Sequence, residues 1–139
     1  MKKSKSIQYR RAGVLINLLS LILFCYLFEV SLGYSITTLI IVAKILLLIV
    51  LALSFWLTYV RTGIWKQVHL PKHKLDEREV LVIYDALRWS YSIFSIFVLC
   101  LIYIFLFLGR NIGAVTAAGL IYFAHIIPAS ILAWKEKMI

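Results

Sequence analysis

Two charged residues stand inside long apolar runs of this sequence. Glu29 lies near the end of the first run, and Lys44 lies a few residues into the second. Charge is costly inside a bilayer, so such residues are functional candidates by default. Because a short turn joins the two runs, we predict a Glu29–Lys44 ion pair that fixes the hairpin. The alternatives are a Lys44 that extends towards the membrane surface, an ion or proton site, and a partner-binding site.

His125 lies deep in the last apolar run, three positions before Pro128. Proline has no N–H, so the carbonyl of Ala124 loses its usual helical partner. We expect a neutral His125 ring to hydrogen-bond to another helix, with a proton relay to Glu29 as the alternative. The polar side chains of other runs that suit such a bond are Asn17, Ser92 and Ser95.

The remaining polar residues suggest no catalytic or metal chemistry. His69 and His73 have helical ligand spacing, but Pro71 lies between them and no cysteine is near. The sequence contains no GxSxG, HExxH or Walker motif, and no serine or cysteine stands beside an evident base. We therefore expect a non-enzyme without a metal or cofactor.

The elements that must position these residues are membrane-spanning helices. The 139 residues are 63% hydrophobic, with a mean hydropathy of +0.97, which exceeds what a soluble domain of this size could bury. The prediction is an all-α integral membrane four-helix bundle, a single domain over residues 1–139 made of two helical hairpins. The predicted spans are 12–32, 39–59, 89–108 and 114–134, with a cytoplasmic central segment 60–88.

A helix start is marked within the central segment. Asp76 is a suitable N-cap, and Glu79 three residues later completes a capping-box pattern. No breaker follows until Gly109, so the helix would be about 48 Å long and its first turns would lie outside the hydrocarbon core. We expect any partner to bind the apolar face of these turns, which consists of Val80, Ile83, Tyr84 and Leu87.

Cationic residues predict the orientation. Both termini and segment 60–88 carry thirteen Lys or Arg residues, the two opposite turns carry one, and Lys44 is intramembrane. The positive-inside rule then places both termini and segment 60–88 on the cytoplasmic side of the membrane. We therefore expect a multi-pass protein of a cell membrane, such as the bacterial inner membrane. The net charge of +9 favours binding to anionic lipid headgroups, and we expect no nucleic acid partner.

One family has a similar layout. Leu75-Asp76-Glu77-Arg78-Glu79 opens the helix, and Leu87-Arg88-Trp89-Ser90-Tyr91 leads into the third span. In this the chain resembles a family of small, uncharacterised bacterial and archaeal membrane proteins that have four spans and a central Asp-Glu-Arg motif. The resemblance implies the fold and the membrane location, and it brings no activity.

Two kinds of function fit these features. The first is a non-catalytic membrane protein that acts through a protein partner, as an accessory subunit, a regulator or an immunity-type protein. The second is a small dimeric transporter that uses Glu29 as an ion- or proton-coupled site, since Glu29 superficially resembles the lone acidic residue of small multidrug-resistance exporters. A homo-oligomer is compatible with both.

Overall fold

The computed structural model describes residues 2–31, 37–69 and 76–135, and these residues are almost entirely helical. The helices are α1 (Lys2–Ser31), α2 (Thr38–Phe55), α3 (Ile64–His69), α4 (Glu77–Phe107) and α5 (Ala114–Trp134). A π-helical turn, Trp56–Val60, continues α2. The predicted all-α fold is confirmed, and four helices are long and apolar enough to cross a membrane.

The two hairpins meet through α5. Helix α1 packs on α2, α4 packs on α5, and α5 also packs on α1. In the most apolar stretch of each helix, 44% of the residues are buried in α5, but only 6% are buried in α2 and in α4. The bundle therefore has α5 at its centre, while α2 and α4 present broad apolar faces that suit contact with lipid.

The bundle has a distal end and a basal end, which hold different helix termini. The distal end holds the last turns of α1 and α4 and the first turns of α2 and α5. The basal end holds the start of α1, helix α3 and the end of α5, where Arg11 donates to the carbonyl oxygen of Trp134 at 3.1 Å. An exposed Asp85–Lys135 ion pair also joins α4 to the basal end of α5.

Helix α4 begins and ends at local sequence signals. The predicted capping box is present, because Asp76 accepts from the start of the helix and the Glu79 carboxylate accepts from the Asp76 backbone N–H. Its 31 residues give a length of about 46 Å. At the other end Gly109 adopts φ 62°, and the Arg110 N–H bonds to the Phe105 carbonyl oxygen at 3.0 Å. This Schellman-type ending turns the chain towards α5.

The basal core contains a helix that the sequence analysis missed. Ile64, the first residue of α3, is fully buried, as are Tyr59 of the π-helical turn and Ile126 of α5. Trp65 and Val68 also pack against this core. The predicted central segment 60–88 therefore includes a packed helix of six residues. That length is too short to show a hydrophobic period.

The face of the first turns of α4 that packs within the chain only partly coincides with the apolar face that we expect to bind a partner. Ala86 is fully buried and Ser90 nearly so, while Tyr84 and Leu87 remain 46% and 42% exposed. Ile83 does pack against the core, so the face buried within the chain is rotated by about one residue from the set Val80, Ile83, Tyr84 and Leu87, and binding of a partner to that set stays a prediction. The physical reason is that small side chains allow α5 to approach closely, which hydropathy alone does not reveal.

Candidate functional site

One feature that could hold a ligand is a groove in the distal part of the bundle. Helices α1 and α4 form its walls, α5 forms its floor, and its cavity volume is about 430 Å³. Its lining is almost wholly apolar, with Leu21, Leu101, Phe105 and Leu120 among the side chains. Polar groups gather at its distal mouth, namely Glu29, Arg110 and Thr116.

The groove exists because α1 and α4 both pack on α5 and leave a space between themselves. Its α1 wall extends from Leu18 to Val30, about 18 Å at ~1.5 Å of rise per residue. Its α4 wall extends from Phe97 to Leu108. Nearer the basal end, Ala86 of α4 is buried in the core. The groove is thus confined to the distal half of the bundle.

Glu29 closes the start of α5 from another helix. Its Oε1 accepts a hydrogen bond from the Gly113 N–H at 3.1 Å and one from the Thr116 hydroxyl at 2.5 Å. Gly113 is the N-cap residue and has no side chain to cap the helix itself. A Cβ added at Gly113 would lie 2.5 Å from this same oxygen. A side chain at position 113 would therefore require the Glu29 carboxylate to shift away from its present position.

Lys44 has different partners, and the predicted Glu29–Lys44 ion pair is wrong. The Lys44 ammonium donates to the Ser31 hydroxyl at 2.7 Å and lies 4.0 Å from the ring centroid of Phe28. Both partners belong to the last turns of α1, so Lys44 still joins the α1–α2 hairpin. Glu29 is instead drawn to the unpaired N–H groups and the favourable dipole at the start of α5.

Asn17 is the polar centre of the bundle. It is fully buried on α1, and its side-chain amide donates to the Leu51 carbonyl at 3.1 Å and to the Ser54 hydroxyl at 2.9 Å. Its Oδ1 accepts from the Tyr122 hydroxyl at 3.1 Å. Both amide hydrogens and the oxygen are therefore engaged with α2 and α5. This arrangement fixes three helices together and leaves no open donor for a ligand.

The predicted cross-helix bond of His125 is also wrong. His125 is exposed, and its Nδ1 bonds to the Ile121 carbonyl oxygen at 2.8 Å within α5. His69 makes the equivalent bond to Trp65 within α3, and both rings line a small basal cavity of about 260 Å³. A carbonyl can only accept, so in each neutral ring Nδ1 carries the proton and Nε2 stays open. The His125 ring therefore bonds to the carbonyl one helical turn earlier in α5, and not to another helix.

Those two rings do not amount to a metal centre. Within the described residues, no group of three or more His, Cys, Asp or Glu side chains could hold a metal ion. The predicted candidate His73 lies outside the described residues. The basal cavity therefore offers two imidazole nitrogens beside the apolar side chains of Val68, Leu87 and Pro128.

No protein-family model, curated protein or solved structure matches this chain. The resemblance to the four-span family with the central Asp-Glu-Arg motif therefore stays a prediction.

The residues around Glu29 were only partly foreseeable. The sequence identified Glu29, but it did not identify Gly113 and Thr116 as its partners or Arg110 as a residue that lines the same groove. One signal was present: α5 starts at a glycine, without the Ser, Thr, Asp or Asn that usually caps a helix. A helix start of that kind requires an acceptor from elsewhere, and a lone carboxylate in the preceding hairpin is a suitable source.

Proposed function

We propose that this chain is a non-catalytic, multi-pass membrane protein that acts by binding a hydrophobic partner within the bilayer, at the distal groove. The observation that carries this proposal is the apolar cavity of about 430 Å³ between α1 and α4. Ligand sites are commonly concave, mostly apolar and provided with a few polar groups at one end. The groove has all three properties.

The polar residues support binding rather than catalysis. Asn17 is fully engaged between helices, and Glu29 caps α5 through two hydrogen bonds. Proton-coupled transport through Glu29 is the second candidate function, and one observation favours it: Glu29 lines the groove. A carboxylate that holds a helix end in place is less free to exchange protons with a substrate, which favours the binding function.

The proposed location is a cell membrane, such as the bacterial inner membrane, with the basal end in the cytoplasm. The support is the positive-inside rule, because the cationic residues of the termini and of segment 60–88 greatly outnumber those of the distal turns. These basic segments would bind anionic headgroups. A topology reporter fused after Arg61 should lie in the cytoplasm, and one fused after Asn111 should lie on the opposite side of the membrane. The reverse pattern would overturn this orientation.

The test of the groove is site-specific photo-crosslinking in membranes. A photoreactive amino acid replaces Leu101 in the α4 wall, or Leu46 on the lipid-facing side of α2 as a control. We expect a discrete adduct at Leu101 and only diffuse lipid labelling at Leu46. The adduct should be lost when Ile22→Trp fills the groove. It should persist with Leu46→Trp, because Ile22 and Leu46 are equally exposed, at 56%.

Identical labelling at the two positions would contradict the proposal. So would a Leu101 adduct that persists in Ile22→Trp. Size-exclusion profiles of both variants check that the fold is retained.

A further inference from the structure

We propose that the groove binds one acyl chain of a glycerophospholipid from the distal leaflet, with the phosphate of that lipid against Arg110. This inference rests on the proposed function of the groove. It names the partner class from three features of the site: the length of the groove, where it ends, and the charge at its mouth.

The length of the groove matches one leaflet. The α1 wall measures about 18 Å between Leu18 and Val30. Half of a hydrocarbon core of about 30 Å is about 15 Å, which is the depth that a single acyl chain reaches from its headgroup. A lipid chain of ordinary length would therefore fill the groove and end near the bilayer centre.

The closed basal half argues against a transmembrane helix as the occupant. A partner helix crosses the full membrane and is about 10–12 Å wide with its side chains. It would need a surface that continues past the bilayer centre. Here the groove itself does not continue, because the side of α4 that faces α5 is packed in the lower part, with Ala86 fully buried and Ser90 only 5% exposed. A flexible, narrow chain that enters from one leaflet fits this shape.

The mouth of the groove supplies a cation for a phosphate. Arg110 lines the groove at the start of the distal turn, and its backbone is held by the Schellman-type bond to Phe105. Among the described residues, its guanidinium has no ion-pair partner. Glu29, the nearby carboxylate, is bound to the start of α5. A guanidinium matches the planar, bidentate geometry that phosphate oxygens favour.

The experiment is native mass spectrometry of the full chain in a phosphate-free maltoside detergent. The probes are a phosphatidylglycerol and a diacylglycerol with the same acyl chains, so that they differ only in the anionic phosphoglycerol headgroup. We expect a one-to-one adduct that favours phosphatidylglycerol. Arg110→Gln should weaken that adduct by about tenfold or more, since hydrogen bonds to charged groups are of that strength. Arg110→Lys should keep part of the preference, because the charge remains.

Two further variants separate groove binding from belt lipid. Ile22→Trp should remove the adducts of both probes, while Leu46→Trp should leave them unchanged. Equal binding of the two probes to the parent chain, or no effect of Arg110→Gln, would overturn the assignment of the phosphate to Arg110. Adducts that survive Ile22→Trp would overturn the assignment of the acyl chain to the groove.

Other outcomes distinguish this inference from the proposed function. If inorganic phosphate displaces phosphatidylglycerol fully at low millimolar concentration, Arg110 is an anion site and the lipid assignment fails. If no lipid adduct forms but Leu101 crosslinks to a protein, the lipid inference fails while the groove remains the binding site. If neither probe binds and Leu101 gives no discrete adduct, both proposals fail.

Discussion

The Thr116 hydroxyl donates a hydrogen bond to the Glu29 carboxylate at 2.5 Å. This bond joins the third residue of α5 to the distal end of α1. The Gly113 N–H donates to the same oxygen. An intramembrane acid that would ordinarily suggest ion or proton transfer here also completes the hydrogen bonding of a helix end. This relationship leads to the first two predictions.

Removing the carboxylate should destabilise the α1–α5 contact. We expect Glu29→Ala to lower the free energy of unfolding by about 1–3 kcal/mol, because two donors at the start of α5 lose their acceptor. Glu29→Gln should cost less, since its amide oxygen can still accept. Thermal unfolding in detergent measures both. If Glu29→Ala unfolds like the parent chain, the capping role is excluded.

Coupling measurements should separate the two partners that have been considered for Glu29. The double variant Glu29→Ala with Thr116→Val should be non-additive, because these side chains are in direct contact and each single change removes their hydrogen bond. Glu29→Gln with Lys44→Met should be additive within about 0.5 kcal/mol, because Lys44 bonds to Ser31 instead. Strong coupling of Glu29 to Lys44 would instead support the ion pair that the sequence suggested.

Replacing the buried amide of Asn17 should destabilise the protein more than the loss of any one of its hydrogen bonds would. Asn17→Leu removes bonds to α2 and to α5 together, and it leaves the Tyr122 hydroxyl without its acceptor. We expect a loss of about 1–2 kcal/mol, given that interhelical hydrogen bonds in membranes are individually modest. Tyr122→Phe should lose less, because it removes one bond and strands only one acceptor. Chemical or thermal unfolding of the two variants in the same detergent provides the comparison.

Local features of the structure were predictable from the sequence, and contacts between helices were not. The four apolar runs and the Asp76 capping box depend on residues close together in the chain, so they identified the long helices and the start of α4. The partners of Glu29 and His125 depend on which helix ends meet in space. Proximity along the chain suggested Lys44 for Glu29, but α5 offered an unsatisfied helix start.

The groove and the packed face of α4 belong to the second kind of feature. Both depend on where α4 approaches α5 and on the space that remains between α4 and α1. The hydropathy profile does not fix these positions, because many apolar sequences would give the same profile. Helix α3 was missed for another reason. It is six residues long and lies in a segment rich in charge, so its burial follows from tertiary contacts of Ile64 rather than from its own period.

The rotated face of α4 gives the last prediction. Ile83 packs against the basal core, while Leu81, two positions earlier, is 70% exposed. Ile83→Glu places a carboxylate against apolar neighbours at this half-buried position and should destabilise the isolated chain by about 1–3 kcal/mol, or force it to repack, because removing an unpaired charge from water is costly. Leu81→Glu introduces the same side chain on the exposed face, in the turns expected outside the hydrocarbon core, and should leave stability nearly unchanged.

This comparison separates two explanations of the amphipathic start of α4. If the face is covered within the chain, Ile83→Glu lowers the unfolding temperature of the purified protein even when no other chain is present. If the face is covered only when a partner binds, Ile83→Glu and Leu81→Glu should unfold at similar temperatures. Only the recovery of co-purifying chains should then differ between the two variants. Unfolding curves of both variants in one detergent decide between these explanations. The full burial of Ala86 and Ile64 beside Ile83 leads us to expect the first result.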